Sequence, residues 1–478
     1  MKRPAVVAVV VGVASVVLAV SLYVSRAKGP SASPASSGSP PPSGAPATKP
    51  TIVFILTDDQ RWDALARMPT VRQRLLERGV DFSNAFVVDP MCCPSRASIL
   101  TGQYPHTTGV WSNKGRYGGF PVFRDGSTVA TWLRAAGYRT GLFGKYLNHY
   151  GGRYVPPGWD RWVAIAGAAN PYDLYYDYTL NVDGKLHSYG TAPSAYSTDV
   201  LADQAVAFIK HSSGPLFVYF APYGPHTPAT PAERDMNAFP HIPPYRPPSF
   251  NEADVRDKPA WIRRKPRFSA DQTNFVDDLR RREAQSLLAV DRAVGRILGA
   301  LQSTHRIDQA LIVYTSDNGF LLGEHRIVNK AVPYEESIRV PLIVRYDPVV
   351  RSPRADPHLV LNLDFAPTFA AAAGVPAPGV QGRSLWPLID GTSGPWRSDF
   401  LIEAYRFARM PSYCGVRTER YAYVLYETGE RELYDLRTDP YELRNRIRDP
   451  SLASVAASLR DRLRQLCTVR APLFGASP

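Results

Sequence analysis

The chain has 478 residues, room for two or three domains or for one large α/β domain with a smaller companion. With 44% hydrophobic, 11% aromatic and 21% charged residues, it is not a largely disordered chain, a coiled coil or a polytopic membrane protein. The formal net charge is +13, but Lys2, Arg3, Arg26, Lys28 and Lys49 lie in the first 50 residues without any acid, so the remainder carries +8, a mild bias toward anionic ligands and no case for nucleic acid as partner.

Lys2 and Arg3 lead into an apolar run over residues 5–24, which at about 1.5 Å per residue matches a bilayer core. The run exceeds a usual signal-peptide core and shows no small-x-small cleavage site before Arg26. Residues 1–28 are therefore expected to be an uncleaved membrane anchor, with a cleaved export signal as the alternative. Residues 29–50 mix Pro, Ser, Gly and Ala without a large apolar residue, the composition of a disordered spacer. Everything after it is expected outside the cytoplasm, secreted or tethered to the membrane.

Residues 51–56 (TIVFIL) form a strand-like apolar run that stops at Thr57, Asp58, Asp59 and Gln60. Residues 310–315 (ALIVYT) repeat the pattern and stop at Ser316, Asp317, Asn318 and Gly319. In open α/β sheets ligands bind beyond the carboxyl ends of the strands, so two such pairs could meet at one edge. Their oxygens suit calcium or magnesium rather than zinc, although an Asp-Asp pair after a strand also serves as a helix cap or turn. Further strands are expected at 141–143 and 216–220, and helices at 69–78, 128–136, 199–209 and 274–301. The alternation implies an α/β fold with a large, mainly parallel sheet flanked by helices over residues 51–390. Short runs at 401–404, 413–417, 421–426 and 432–436, then a helix near 452–467, imply a C-terminal α+β subdomain, a small antiparallel sheet with one helix over residues 391–478. Pro-rich text at 223–248 and the basic stretch 261–267 are expected to run as a long excursion across the main domain.

Four cysteines are too few for a disulfide scaffold and lack paired CxxC spacing for zinc. Neighbours such as Cys92 and Cys93 rarely bridge each other, which leaves Cys414 with Cys467 as the candidate pair. Residues 89–102 (DPMCCPSRASILTG) place Cys, Pro and Arg before a helix expected to begin near Ser95, and a helix N-terminus with an Arg suits a tetrahedral anion. A buried cysteine pair at a helix start is the plainer explanation of the same text.

Cys92, Pro94, Ser95, Arg96, Leu100, Thr101 and Gly102 match the pattern C-x-P-S-R-x-x-x-L-T-G, and here the chain resembles the formylglycine-dependent sulfatases of the alkaline phosphatase-like superfamily. The resemblance continues, in order, through TDDQ at 57–60, GYRTGLFGKY at 137–146, PHTP at 225–228 and TSDNG at 315–319. It implies that a formylglycine-generating enzyme oxidises Cys92 to formylglycine during maturation. It also implies that Asp58, Asp59, Asp317, Asn318 and residue 92 hold one calcium ion, and that Arg96, Lys145, His226 and Lys330 face the sulfate. The aldehyde would be hydrated to a gem-diol, of which one hydroxyl attacks sulfur and the other later expels sulfate. Many sulfatases carry a second histidine two residues after the GK lysine. Here that position is Leu147, with Asn148 and His149 as neighbouring substitutes.

Residues 144–162 and 248–259 resemble the branch of N-acetylglucosamine-6-sulfatases and heparan endosulfatases, which implies a sulfated sugar or glycosaminoglycan as substrate. Tyr154, Trp159, Trp162, Tyr172, Tyr175 and Tyr176 could stack on sugar rings or pack in the core. An aryl sulfatase, a phosphate or phosphonate monoester hydrolase of the same superfamily, and a non-catalytic polyanion-binding surface protein are the alternatives.

Overall fold

Residues 49–468, apart from 171 and 393, are described by the computed structural model. Thr51–Thr57 is rich in β-branched and aromatic residues and buried at every position, as a strand covered on both faces must be. It sits inside a ten-stranded sheet. From edge to edge the strands are Arg354–Asp356, Val80–Phe82, Leu342–Arg345, Ala310–Ser316, Thr51–Thr57, Leu216–Ala221, Arg139–Gly144, Arg161–Ala168, Tyr178–Val182 and Lys185–Tyr189. The run from Ala310–Ser316 to Arg161–Ala168 is parallel. Leu342–Arg345 and the Tyr178–Val182/Lys185–Tyr189 hairpin are antiparallel to their neighbours, which makes the sheet mixed.

Strand alternation divides the core into two layers. Ile52, Phe54 and Leu56 pack on one face with Ala97 and Leu100 of the Cys92–Thr101 helix, Val129 and Leu133 of Val129–Ala135, and Phe365 and Phe369 of Phe365–Ala373. Val53 and Ile55 meet Val200 and Leu201 of Ser197–Lys210 and Val290 and Ile297 of Ala270–Ser303 on the other. The last of these helices starts four residues before the expected position 274. Ser269 caps it, its hydroxyl accepting from Gln272 N–H at 3.2 Å while the Gln272 side chain accepts from Ser269 N–H at 2.9 Å. The helix expected at 69–78 breaks into Pro69–Arg74 and a tighter turn, Leu76–Arg78.

The C-terminal strands Asp399–Ala404, Tyr413–Thr418, Tyr421–Tyr426 and Arg431–Asp435 form an antiparallel sheet in chain order. One face carries Phe400, Ile402, Ala422 and Val424 against Phe86, Ile338 and Leu361 of the main body. The other carries Leu401, Val416 and Leu433 against Leu459 and Leu463 of the helix Ala453–Leu466. Cys414 and Cys467 are disulfide-bonded, fastening the end of that helix to the second strand.

The excursion after residue 223 is held on the long helix by polar clamps. Arg246 pairs with Asp277 at 2.6 Å, Arg292 with Asp235, and Gln285 donates to the carbonyls of Met236 and Ala238 at 2.7 Å. The anchor expected at 1–28 and nearly all of the spacer expected at 29–50 lie outside the described residues. Lys49 already donates to the Ala136 carbonyl at 2.7 Å, and Pro50 is buried. Among the described residues, no helix is long and apolar enough to cross a membrane.

Candidate active site

Register brings the two acidic pairs together. Thr57 lies opposite Ser316 in the parallel pair, so the residues after each strand leave at the same sheet edge. Asp317 N–H donates to the Thr57 carbonyl at 3.1 Å, Asp59 N–H to Asp317 Oδ1 at 3.1 Å, and Asn318 Nδ2 to Asp59 Oδ1 at 2.6 Å. Asp59 has φ 65°, a left-handed conformation that Asp tolerates better than most residues.

The helix Cys92–Thr101 is buried throughout and begins at Cys92, three residues before the expected Ser95. Pro94 explains the difference: it lies within the first turn, where its missing N–H leaves no helical bond unmade, so it starts the helix rather than delaying it. Cys92 is thereby fixed at the helix N-terminus. Its sulfur lies 3.7 Å from Asp58 Oδ1 and 2.8 Å from Lys330 Nζ. One turn on, Arg96 donates through Nε to Asp317 Oδ2 at 2.7 Å and through Nη1 to the Lys145 carbonyl at 2.9 Å. Its Nη2 lies 3.5 Å from Asp58 Oδ2, makes no hydrogen bond and is buried.

Lys145 follows the strand Arg139–Gly144 and pairs with Asp58 Oδ2. Gly144 has φ 130°, and a Cβ there would strike the Ala221 carbonyl, so the residue before this lysine must be glycine. His226 follows the neighbouring strand Leu216–Ala221. Its Nδ1 is 2.6 Å from the Thr227 carbonyl, which only accepts, so Nδ1 carries a proton and Nε2 faces Asp59 Oδ2 at 3.6 Å. Lys330 completes the ring by pairing with Asp59 Oδ1. All nine residues singled out from the sequence converge at one edge of the sheet.

The site's chemistry is set by its charge. Three carboxylates, Asp58, Asp59 and Asp317, face Arg96, Lys145 and Lys330. Ligand atoms of Asp58, Asp59, Cys92 and His226 lie within 4.8 Å of one another. Asp317 is not one of those four; its Oδ1 accepts from Asp59 N–H and its Oδ2 from Arg96 Nε. The donor set fits a hard dication: Asn318 Oδ1 is buried with no donor, as an unused metal ligand would be.

The profile of the sulfatase family matches residues 50–375. The chain belongs to the sulfatase family. A second profile, described as the C-terminal part of N-sulphoglucosamine sulphohydrolase, matches residues 323–469. The human N-acetylglucosamine-6-sulfatase is 35% identical over 377 residues, covering 74% of this chain and 67% of the relative. An extracellular sulfatase of Drosophila melanogaster is 34% identical over 372 residues, 74% of this chain and 33% of the relative. The chain thus spans about a third of that relative's length, and 54% of a nematode homologue's. A protein solved in complex with its substrate D-glucosamine-2-N,6-O-disulfate superposes with TM-score 0.80 at 25% identity, over 90% of this chain and 100% of the other.

In this sulfatase, burial pushes the Cys92 thiol up to about 11 against the pull of Lys145 and Lys330. Burial also disfavours the charged forms of Asp58 and Lys330. Even so, Lys145, His226 and Arg96 keep Asp58 below the usual carboxylate range, and Asp59 and Cys92 hold Lys330 well above an ordinary lysine. Burial lowers His226, opposed by Asp59 and Asp58.

Leu147, where the family often has histidine, is buried in the core, and the neighbouring His149 is exposed. Asn148 uses its backbone N–H on the Cys93 thiol at 3.0 Å. Of the aromatics, Trp159, Trp162 and Tyr175 are core residues, whereas Tyr154 and Tyr172 are 47% and 73% exposed. Tyr223 was not anticipated. Its ring lies 4.5 Å from that of His226 and 5.6 Å from Lys145 Nζ, forming an apolar wall, and its place just before PHTP was the available signal.

Glu283 of the long helix is also part of this neighbourhood, and burial pushes it up to about 8, opposed by Arg61 and reinforced by Asp59. A carboxyl that binds its proton more tightly folded than unfolded makes stability fall as pH rises, here from the ordinary 4.5 to about 8. Glu283→Gln should therefore flatten the loss of stability between pH 6 and pH 9, as seen in urea unfolding at both values. Parallel wild-type and variant curves would count against a protonated Glu283.

Proposed function

We propose that the protein is a sulfuric ester hydrolase that removes sulfate from a sulfated amino sugar or glycosaminoglycan, with N-acetylglucosamine 6-sulfate as the preferred unit. The observation that carries this reading is Cys92 at a buried helix N-terminus, ringed by Arg96, Lys145 and Lys330 and by the carboxylate pairs. The human relative and the disulfate-bound neighbour support the sugar assignment.

A sulfate ester resists attack because its oxygens are electron-rich, so the site must supply positive charge. Arg96 Nη2 and the two lysine ammonium groups supply it. Asp58, Asp59, Asp317 and Asn318 would hold calcium, which would neutralise further charge on the sulfate oxygens. Oxidation of Cys92 to an aldehyde, hydrated in place, would give position 92 one hydroxyl to attack sulfur and a second to release sulfate. Asp58, beside position 92, is placed to take the attacking hydroxyl's proton, and His226, with Nδ1–H held by the Thr227 carbonyl, would return one to the departing alcohol from Nε2 once the ring is charged. Each of these cations is paired with a carboxylate, which holds its position.

Host-expressed protein incubated with N-acetylglucosamine 6-sulfate should release sulfate, and should turn over an aryl sulfate faster than the matching aryl phosphate. Faster phosphate turnover would overturn the assignment. For the metal, Asn318→Ala should lower bound calcium and activity together by about tenfold or more, measured by elemental analysis and sulfate release. Unchanged calcium content would remove Asn318 from the ligand set.

A further inference from the structure

A second cluster of metal-ligand side chains shares no residue with the first. His325, Glu336 and Glu442 are 0%, 4% and 2% exposed and offer ligand atoms within 4.8 Å of one another. Two of those side chains have an atom with no partner: His325 Nε2 and Glu336 Oε2 are buried and make no hydrogen bond. Buried polar atoms are rarely left so, because an unmade bond leaves the lost hydration uncompensated.

The imidazole is already prepared as a ligand. His325 Nδ1 lies 2.7 Å from Glu252 Oε2, so Nδ1–H donates to a carboxylate and the Nε2 lone pair points the other way, the outer-shell arrangement that orients a metal-binding histidine. Tyr334 stacks on the ring at 4.1 Å between centroids and locks its plane. The surrounding charge is unbalanced. Lys258 Nζ is 3.8 Å from Glu252 Oε1 and contacts the backbone carbonyl of Glu442, and among the described residues no ion pair reaches the carboxylates of Glu336 and Glu442. Arg61 is committed to Glu324 and Asp63, and Arg417 to Glu335.

We propose that His325, Glu336 and Glu442 form a second, buried site for a divalent transition metal of the zinc class, distinct from the calcium site. One imidazole and two carboxylates are a common donor set for such ions. His325 and Glu336 bracket Lys330 in sequence, and Glu442 comes from beyond the C-terminal sheet, its carboxylate accepting from Glu335 N–H at 2.9 Å. The ion therefore fastens the segment that carries Lys330 to the C-terminal sheet and plays a structural part.

The test uses full-length protein expressed in zinc-supplemented medium, purified without chelator and desalted. Elemental analysis should find about one zinc per chain beyond calcium, and Glu442→Gln should lose at least about nine-tenths of it while keeping its calcium. Zinc equal in wild type and Glu442→Gln, or absent from both, overturns the proposal, including zinc held instead by Cys92 and His226. Should Glu442→Gln not fold, the wild type decides alone: after EDTA and calcium repletion, added ZnCl2 should raise the unfolding temperature. An unchanged temperature overturns the proposal.

Discussion

Cys92→Ala and Cys92→Ser should fold normally and lose turnover by at least ~10⁴-fold, the scale on which removing a covalent nucleophile acts. The thiol fills little space at the helix start, and its contacts are with Lys330 and Asp58 rather than with the apolar core. Stability should accordingly change by about 1 kcal/mol or less. Serine is the more informative variant because it keeps a hydroxyl at the same place. A single hydroxyl can be sulfated but has no second hydroxyl to expel sulfate, so Cys92→Ser should give at most one turnover and leave a stable adduct, visible by mass spectrometry. Sustained wild-type rates in either variant would sink the aldehyde mechanism and the sulfatase activity proposed with it.

Arg96→Ala should be the most damaging single change to the fold of the site. The side chain is 0% exposed and joins Asp317, Asp58 and the Lys145 carbonyl. Removing one member of a buried charge network leaves the others unpaired, which costs about 3–5 kcal/mol. Turnover should fall by ~10²-fold or more in whatever fraction remains folded, since a fixed donor to the sulfate is lost. Arg96→Lys should recover little, because an ammonium cannot make the Nε and Nη1 bonds together. Chemical denaturation measures the first effect. An unfolding midpoint within error of wild type would show that the pairs with Asp58 and Asp317 contribute nothing net.

The acidic pairs of the candidate site were legible because they follow strand ends, whereas Cys92, Arg96, Lys145, His226 and Lys330 were legible through the resemblance to the sulfatases. Once 51–56 and 310–315 are recognised as neighbouring parallel strands, the meeting of Asp58 and Asp59 with Asp317 and Asn318 is a matter of register. The mainly parallel sheet was legible from the alternation of strand and helix text, and the small C-terminal sheet from short runs at close spacing. The edge hairpin Tyr178–Val182/Lys185–Tyr189 was missed: YTLNV and KLHSY are short, and the outer strand has no buried residue, so hydrophobic patterning carries little signal there. The start of the Cys92 helix was misplaced because Pro94 was taken as a residue before the helix rather than within its first turn. His325, Glu336 and Glu442 were illegible for another reason. Glu442 reaches the Glu335 N–H across 107 residues, and no local spacing records such a meeting.

The position of Cys92 also constrains how the protein is made. In the finished fold the residue is 1% exposed, and the ammonium that covers its sulfur belongs to a residue 238 positions later in the chain. A modifying enzyme needs residues around the thiol in its own cleft, and here those residues form a buried helix. On the mechanism proposed above, oxidation would have to come before the segment folds into that helix. On that mechanism, a chain that folds first would keep its thiol, and the active fraction of a preparation would be set by the order of modification and folding.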